Sequence, residues 1–464
     1  WYTEEAGPAP FGDPFQLNHF LYRAAYDRHF AAVGDVTVEG SELTRRRMVR
    51  RGGRAGVRVH GVEAEAFAVR SNAITGFEHG LGWGDADQRL VGGSLERAFL
   101  EDDRLGLRLF YATGRNAHPD HYNVSTLEGG SQGDVLSLSL GSRILGDRLA
   151  VEGEYCDSRY DGDLSDDLGE ASDRAWRGRL HGRGKRYNWE AGYTCLGPRY
   201  RSITDPLGLQ DREAWDLGIG WRALSSLFRV SLVHNRDNVD EDPLVPVVEN
   251  STAAFSYDLA RAGWPAVFLH YTLNRQESSR EPEAFSPIEN RTQTLGGGFS
   301  VSGERWSVSP SYTITLFDDR SAAADRDSRT QVATLSGSFL PWDRVAVHPS
   351  FSYTRFRVEP DRGSTETFQG TVGAVVGLIP DRLNLNTTLS LLDNRSLDGS
   401  YHTTTFNGVG QVNWRVPNER DDGSRQTLSL RGAYGRTRDH ASGDRRDDYA
   451  VFGDEYDVII AHEM

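Results

Sequence analysis

Apolar and polar residues alternate with a period of two through long stretches of the chain. From Trp306, one face reads Trp306, Val308, Pro310, Tyr312, Ile314 and Leu316, and the other reads Ser307, Ser309, Ser311, Thr313 and Thr315. Leu383, Leu385, Leu389 and Leu391 oppose Asn384, Asn386, Thr388 and Ser390 in the same way. So do Val345, Val347, Phe351 and Tyr353 against Ala346, His348, Ser350 and Ser352. Strict alternation puts successive side chains on opposite faces of a β-strand. Each run is long enough to cross a bilayer as a tilted strand of ~9–11 residues.

Tight-turn sequences punctuate these runs. Ile144–Arg148, Gly182–Arg186, Arg222–Ser226, Arg261–Pro265, Ser302–Trp306, Leu340–Arg344, Ile379–Leu383 and Pro417–Arg420 have centres that step by 38 to 41 residues. Glu101–Arg104 and His60–Glu63 extend the series towards the N-terminus. Between the turns lie longer stretches rich in Asp, Gly, Ser and Asn, at 157–173, 197–213, 235–247, 276–289, 317–328 and 436–448. A propeller blade also runs to about 40 residues, but it needs four short strands and several turns per period. Here each period has one tight turn, one long loop and two long strands.

The pattern therefore predicts an all-β fold, a transmembrane antiparallel up-and-down β-barrel with short periplasmic turns and longer extracellular loops. Ten turns supply twenty strands, and single strands within 31–42 and 449–463 bring the expectation to about 22. An even number would place both termini in the periplasm. Residues 1–30 are expected to be a periplasmic or lumenal lead-in, including the segment Pro14–Tyr26, and residues 31–464 the barrel. Trp264, Trp306 and Trp342 fall at the short-turn end and Tyr160, Phe317, Phe356 and Tyr401 towards the loop end, as interfacial aromatics do.

Composition narrows the function classes. No stretch approaches the ~18 apolar residues of a transmembrane helix, with charged residues at 26% and mean hydropathy at −0.55. A net charge of −15 disfavours nucleic acid as a partner. The two cysteines form no zinc or haem motif. Cys156 shares a face with Glu152 and Glu154, and Cys195 with Trp189, Ala191 and Tyr193, so two free thiols are expected rather than a disulfide.

In these features the chain resembles bacterial outer-membrane β-barrel proteins. Segments such as Arg291–Phe299 and Asp343–His348 are also similar to the barrel sheaths of porin–cytochrome conduits, which surround a multihaem partner. The chain departs from those sheaths in lacking a Cys-containing start. Its last residues, Val458–Met464, also lack the terminal aromatic of barrel-assembly signals. The resemblance implies an integral outer-membrane location, in contact with lipid and lipopolysaccharide.

A barrel of about 22 strands has a wide lumen that is normally plugged, and no loop between 113 and 448 looks long enough to fill it. The leading expectation is thus a channel or sheath that houses or threads a partner subunit, in transport, export or electron conduction. The alternatives are a self-gated porin or exporter for small solutes or polysaccharide, and a surface adhesion or scaffold barrel. Ser307, Ser309, Ser311, Thr313, Ser350, Ser352, Asn384 and Asn386 are the expected lumen-facing residues, a small and neutral lining. Asp161, Asp163 and Asp166 are spaced so that they could wrap Ca²⁺ in an extracellular loop. Arg45, Arg46, Arg47, Arg50 and Arg51, in the stretch Thr44–Gly53, could meet lipopolysaccharide phosphates or an acidic partner. No catalytic motif stands out among the thirteen scattered histidines and the acidic residues, and no cofactor is encoded, so an enzyme is not expected.

Overall fold

The structure, a computed structural model, describes the chain except for residues 1–19, 73–84, 101–104, 117–129, 147, 207, 284, 322–325, 360–362, 381, 417–424, 441–458 and 464. Two compact units are present. One comprises Trp1–Leu217 with Val233–Val247, the other Gly218–Leu232 with Val248–Met464.

The N-terminal half carries β1 (Leu21–Tyr26), β2 (His29–Val38), β3 (Met48–Val59), β4 (Val62–Arg70), β5 (Arg89–Phe99) and β6 (Leu105–Asn116). These are followed by β7 (Ser131–Ile144), β8 (Leu149–Asp161), β9 (Ala171–Arg183), β10 (Tyr187–Leu196), β11 (Arg212–Ala223) and β12 (Ser226–Arg236). The C-terminal half carries β13 (Val247–Leu259), β14 (Ala266–Ser279), β15 (Glu289–Ser302), β16 (Trp306–Asp319), β17 (Ser328–Trp342) and β18 (Val345–Val358). It ends with β19 (Thr365–Ile379), β20 (Leu383–Ser396), β21 (His402–Val416), β22 (Arg425–Asp439) and β23 (Ile459–Glu463). From β1 to β10, and again from β14 to β23, each strand pairs antiparallel with the next, the up-and-down arrangement that the alternation predicts.

The tight-turn sequences that are described fall between consecutive strands, while 101–104, 417–420, Asp147 and Asp381 lie outside the described residues. At the β3–β4 turn His60 and Gly61 both have positive φ (51° and 78°), and at the β7–β8 turn so do Leu145 and Gly146 (55° and 64°). That backbone twist matches the twist of the flanking strands. The described residues hold 23 strands against the expected 22. The extra one is β1, inside the segment read as a lead-in. It pairs with β2 across a two-residue turn at Asp27 and Arg28, with Asp27 at φ 52°. Six residues with no clean alternation were too short for the pattern to register.

In the second unit the alternation sorts the faces as expected. Leu295, Phe299, Tyr312, Leu316, Leu335, Phe351, Leu389 and Leu391 are exposed on one face. Trp306 and Trp342, at the short-turn end, are exposed too. On the other face a row of small polar side chains runs straight across six strands: Ser309 opposite Ser336, then Ser350, Thr371, Ser390 and Asn407. Pro310 interrupts the ladder between β15 and β16, where pairing skips from Gly298–Ser311 to Val301–Val308, because proline has no N–H to give.

The first unit differs. On one face, near the long-loop ends of its strands, Val36, Val38, Met48, Phe67, Val69, Leu90, Phe110 and Val135 form a buried apolar cluster that Ile203 joins. Phe67 and Phe110 stack there with centroids 6.1 Å apart. The opposite face is bare, with Leu107, Leu109, Tyr111, Leu136, Leu138 and Leu140 exposed.

Candidate functional site

The segment 39–47 joins β2 to β3 and lies against the covered face of the first unit. Gly40 lets it turn, since a Cβ there would sit 2.5 Å from the Arg45 carbonyl oxygen and 2.7 Å from Thr44 Oγ1. Thr44 is fully buried. Its hydroxyl accepts from the Ser41 backbone N–H at 2.8 Å. The Ser41 hydroxyl in turn accepts from Ser137 of β7 at 3.1 Å. Glu154 of β8 accepts from the Leu43 N–H at 3.2 Å and from the Ser137 hydroxyl at 3.2 Å.

A second loop, 197–211 between β10 and β11, clamps the first from the other side. The Tyr200 hydroxyl donates to the Leu43 carbonyl at 2.8 Å, and the hydroxyls of Ser202 and Thr204 both donate to the Thr44 carbonyl. Arg45 pairs with Asp205 at 3.4 Å. Burial holds the Tyr200 phenol well above the ordinary tyrosine value, so it remains a protonated donor to Leu43. Backbone carbonyls at a buried loop apex require partners, and these three hydroxyls provide them.

The latched loop walls a recess of about 720 Å³ on the covered face. Glu39, Glu42, Glu96, Glu152 and Glu154 line it, together with Arg46, Arg47, Arg108, Arg177 and Arg179. The strand register generates this mixture. Glu96 lies opposite Arg108, Arg108 opposite Ser139, Ser139 opposite Glu154, and Glu154 opposite Arg177. One step along, Glu152 lies opposite Arg179. Arg108 donates to the Glu39 carbonyl at 2.7 Å, and Arg179 approaches Glu190 at 3.7 Å. The recess thus presents five carboxylates and five guanidinium groups to a solute.

The five arginines read as one basic stretch take separate places. Arg45, Arg46 and Arg47 belong to the latched loop. Arg46 is exposed beside Glu42 at 3.4 Å. Arg50 and Arg51 sit on β3, where Arg50 donates to the Ser71 carbonyl at 3.0 Å. Arg51 is fully buried in a two-bond ion pair with Asp35 (3.1 and 3.2 Å), its guanidinium 5.0 Å from the Phe20 ring centroid. Arg45 and Arg51 thus both make internal ion pairs, Arg51 fully buried and Arg45 partly exposed. Six of the ten residues of Thr44–Gly53, from Met48 on, are strand, because Met48 and Val49 resume the alternation that the arginines obscure.

Asp161, Asp163 and Asp166 are not brought together. Each caps its own turn, Asp161 accepting from the Asp163 N–H at 3.1 Å and Asp166 from the Leu168 N–H at 2.9 Å. Asp163 accepts from the Ser165 hydroxyl and N–H, bonds that hold its carboxyl below the usual aspartate range. No group of three His, Cys, Asp or Glu side chains that could hold a metal ion occurs among the described residues. Cys156 and Cys195 are both free thiols. Ser307, Ser309, Ser311, Thr313, Ser350, Ser352, Asn384 and Asn386 lie on β16, β18 and β20, on the face opposite the exposed apolar residues.

Sequence reasoning missed the recess. Its signal was present in Glu152, Glu154, Arg177 and Arg179, charges spaced two apart on the polar faces of β8 and β9, where β16 and β18 carry serine.

No protein-family model matches the chain, and no curated protein does. Among solved structures it is similar to the FrpB iron transporter from Neisseria meningitidis, with 10% identity over 81% of this chain and 68% of that one and a TM-score of 0.38. It is also similar to OccK10 of Pseudomonas aeruginosa (12% identity, 76% and 96% covered, TM-score 0.32). OmpT, an outer membrane protein of Vibrio cholerae, is a third, in a loop L8 deletion mutant (12% identity, 66% and 98% covered, TM-score 0.32). Apart from β1 and β23, the described strands run to 9–15 residues and are bare on an apolar face, as a bilayer-spanning sheet needs. The described architecture is all-β, antiparallel and up-and-down, with long strands that leave an apolar face bare.

Proposed function

We propose that the chain is an outer-membrane channel that constricts itself, with the recess under loop 39–47 as its selecting element for small polar solutes. The observation that carries this reading is the latch. Two loops fold onto the charged face of the first unit and are held there by Tyr200, Ser202, Thr204, Ser137 and Glu154. A sheath around a resident protein needs that face clear, whereas a self-gated channel needs it narrowed. One of these loops, 39–47, lies upstream of residue 113, and the other, 197–211, clamps it. Alternating carboxylates and guanidinium groups favour solutes that present both charge signs, since either sign alone meets like charge on the way through.

The test is conductance of the full chain alone in planar bilayers. Small ohmic steps are expected without any partner. Arg177→Gln with Arg179→Gln should shift the reversal potential towards cation selectivity. A silent bilayer, together with a polypeptide that stays bound through native purification, would return the sheath reading to first place.

A further inference from the structure

The recess has a floor, a roof and a direction. Its floor is Ser139 and Gly141 of β7 with Gly106 of β6. These residues are small, and a Cβ on Gly141 would meet nothing within 4 Å. The roof, loop 39–47, stands on two pillars, one on each side of that floor. Arg108 of β6 donates to the Glu39 carbonyl, and Glu154 of β8 accepts from the Leu43 N–H. Towards the loop ends, the Ser41 hydroxyl accepts from Ser137, two residues along β7 from Ser139.

Both pillars keep binding capacity. The three donors that reach Glu154, from Leu43, Ser137 and Cys156, all go to Oε1, and Oε2 receives none among the described residues. Arg108 gives one N–H to the Glu39 carbonyl, while its Nε–H is buried without a partner among the described residues. The signs are sorted across the floor. Register sets Arg108 against Ser139 and Ser139 against Glu154. One row towards the short turn, it sets Gly106 against Gly141 and Gly141 against Glu152. A guanidinium therefore borders one side and two carboxylates the other, with Arg143 on the same face two residues below Gly141. One strand further out each is backed by its opposite: Glu96 behind Arg108, Arg177 behind Glu154 and Arg179 behind Glu152. His181 lies between Glu152 and Glu190, at 4.0 and 3.9 Å. The roof adds Glu39 and Glu42 against Arg46 and Arg47. With its charges balanced, the recess has a field that runs across the floor between β6 and β8.

We propose that this floor seats the backbone of a free α-amino acid, its carboxylate towards Arg108 and its ammonium towards Glu154 and Glu152. The inference deepens the channel reading and rests on it. Arg108 and Glu154 are two strands apart, about 10 Å at the ~4.8 Å strand spacing. Two charge-assisted hydrogen bonds of ~2.8 Å leave about 4 Å between the solute's own charges. That is the span of an ammonium and a carboxylate on one carbon, and it is too short for the termini of a dipeptide. A solute with a single charge pairs on one side of the floor and faces a like charge on the other. The volume of about 720 Å³ leaves room for the amino acid's side chain.

The test is saturation-transfer NMR on the full chain in detergent micelles, with L-alanine, N-acetyl-L-alanine and L-alaninamide as probes. L-Alanine should bind about tenfold or more tightly than either singly charged analogue, the loss of one charged hydrogen-bonded pair. Arg108→Gln should remove its advantage over the amide, and Glu152→Gln with Glu154→Gln its advantage over the acetylated form. Because Arg108 and Glu154 also hold the roof, Gly141→Leu is the separating variant. It fills the floor from a position where a Cβ touches nothing, and it removes no roof bond. Alanine binding should be lost with heat-modifiable gel mobility unchanged. Equal binding of the three probes, or full binding by Gly141→Leu, would overturn the assignment. Planar-bilayer conductance reports the channel separately. A chain that conducts but binds no probe selectively refutes the floor site alone. One that binds alanine selectively and stays silent keeps the site and refutes the channel.

Discussion

Tyr200 carries more of the latch than its single hydrogen bond suggests, because its ring is buried while its hydroxyl reaches the Leu43 carbonyl. Removing the hydroxyl leaves that carbonyl without this donor, a cost of about 1–3 kcal/mol for a buried acceptor. Tyr200→Phe should therefore loosen loop 39–47 with the strands intact, seen in single-channel records as more frequent openings to a larger conductance. Unchanged gating would mean that Ser202 and Thr204 suffice. A second test at this scale uses pH. The Ser396 hydroxyl, followed by the N–H and hydroxyl of Ser400, holds the Asp398 carboxyl down at about 2 from its ordinary 3.8. A carboxyl depressed in the folded state stabilises the fold above its unfolded value, and that contribution is lost as pH falls through the folded one. The 397–401 turn should accordingly keep its hydrogen-exchange protection at pH 4 and lose it towards pH 2, and Asp398→Asn should abolish the pH dependence.

Among the elements, the two faces of one strand make opposite demands. Leu335 and Ser336 are neighbours on β17, one on the apolar face and the other in the hydroxyl row with Ser309 and Ser350. A charge on a lipid-facing strand position costs about 2–4 kcal/mol near the bilayer midplane, whereas lumen positions tolerate it. Leu335→Arg should lower the urea midpoint of the reconstituted protein markedly, and Ser336→Arg should barely move it. Equal losses would mean that the faces are assigned wrongly. Such alternation was legible residue by residue, because the apolar and polar faces of each of these strands are set by its own sequence. Strand β1 was not legible, since Leu21–Tyr26 carries no alternation and is fixed by its partner β2. Nor was the break inside Thr44–Gly53, where one arginine-rich run is split between a latched loop and a strand.

Over the whole molecule, the two units carry different polar faces. The first has a charged recess under latched loops, the second a row of hydroxyls and amides. What the sequence by itself determined is the all-β class, the antiparallel hairpins with their ten turns, and which face of each long strand is apolar. These follow from period-two patterning and turn chemistry, both of which act over two to five neighbouring residues. Only tertiary structure decided where Leu43 and Thr44 lie, because their partners Tyr200, Ser202 and Thr204 are 157 to 160 positions away. The recess likewise exists because register sets Glu154 against Arg177 and carries loop 39–47 over them. Charges that read as scattered along the chain become a site once strands from distant stretches lie side by side, about 5 Å apart.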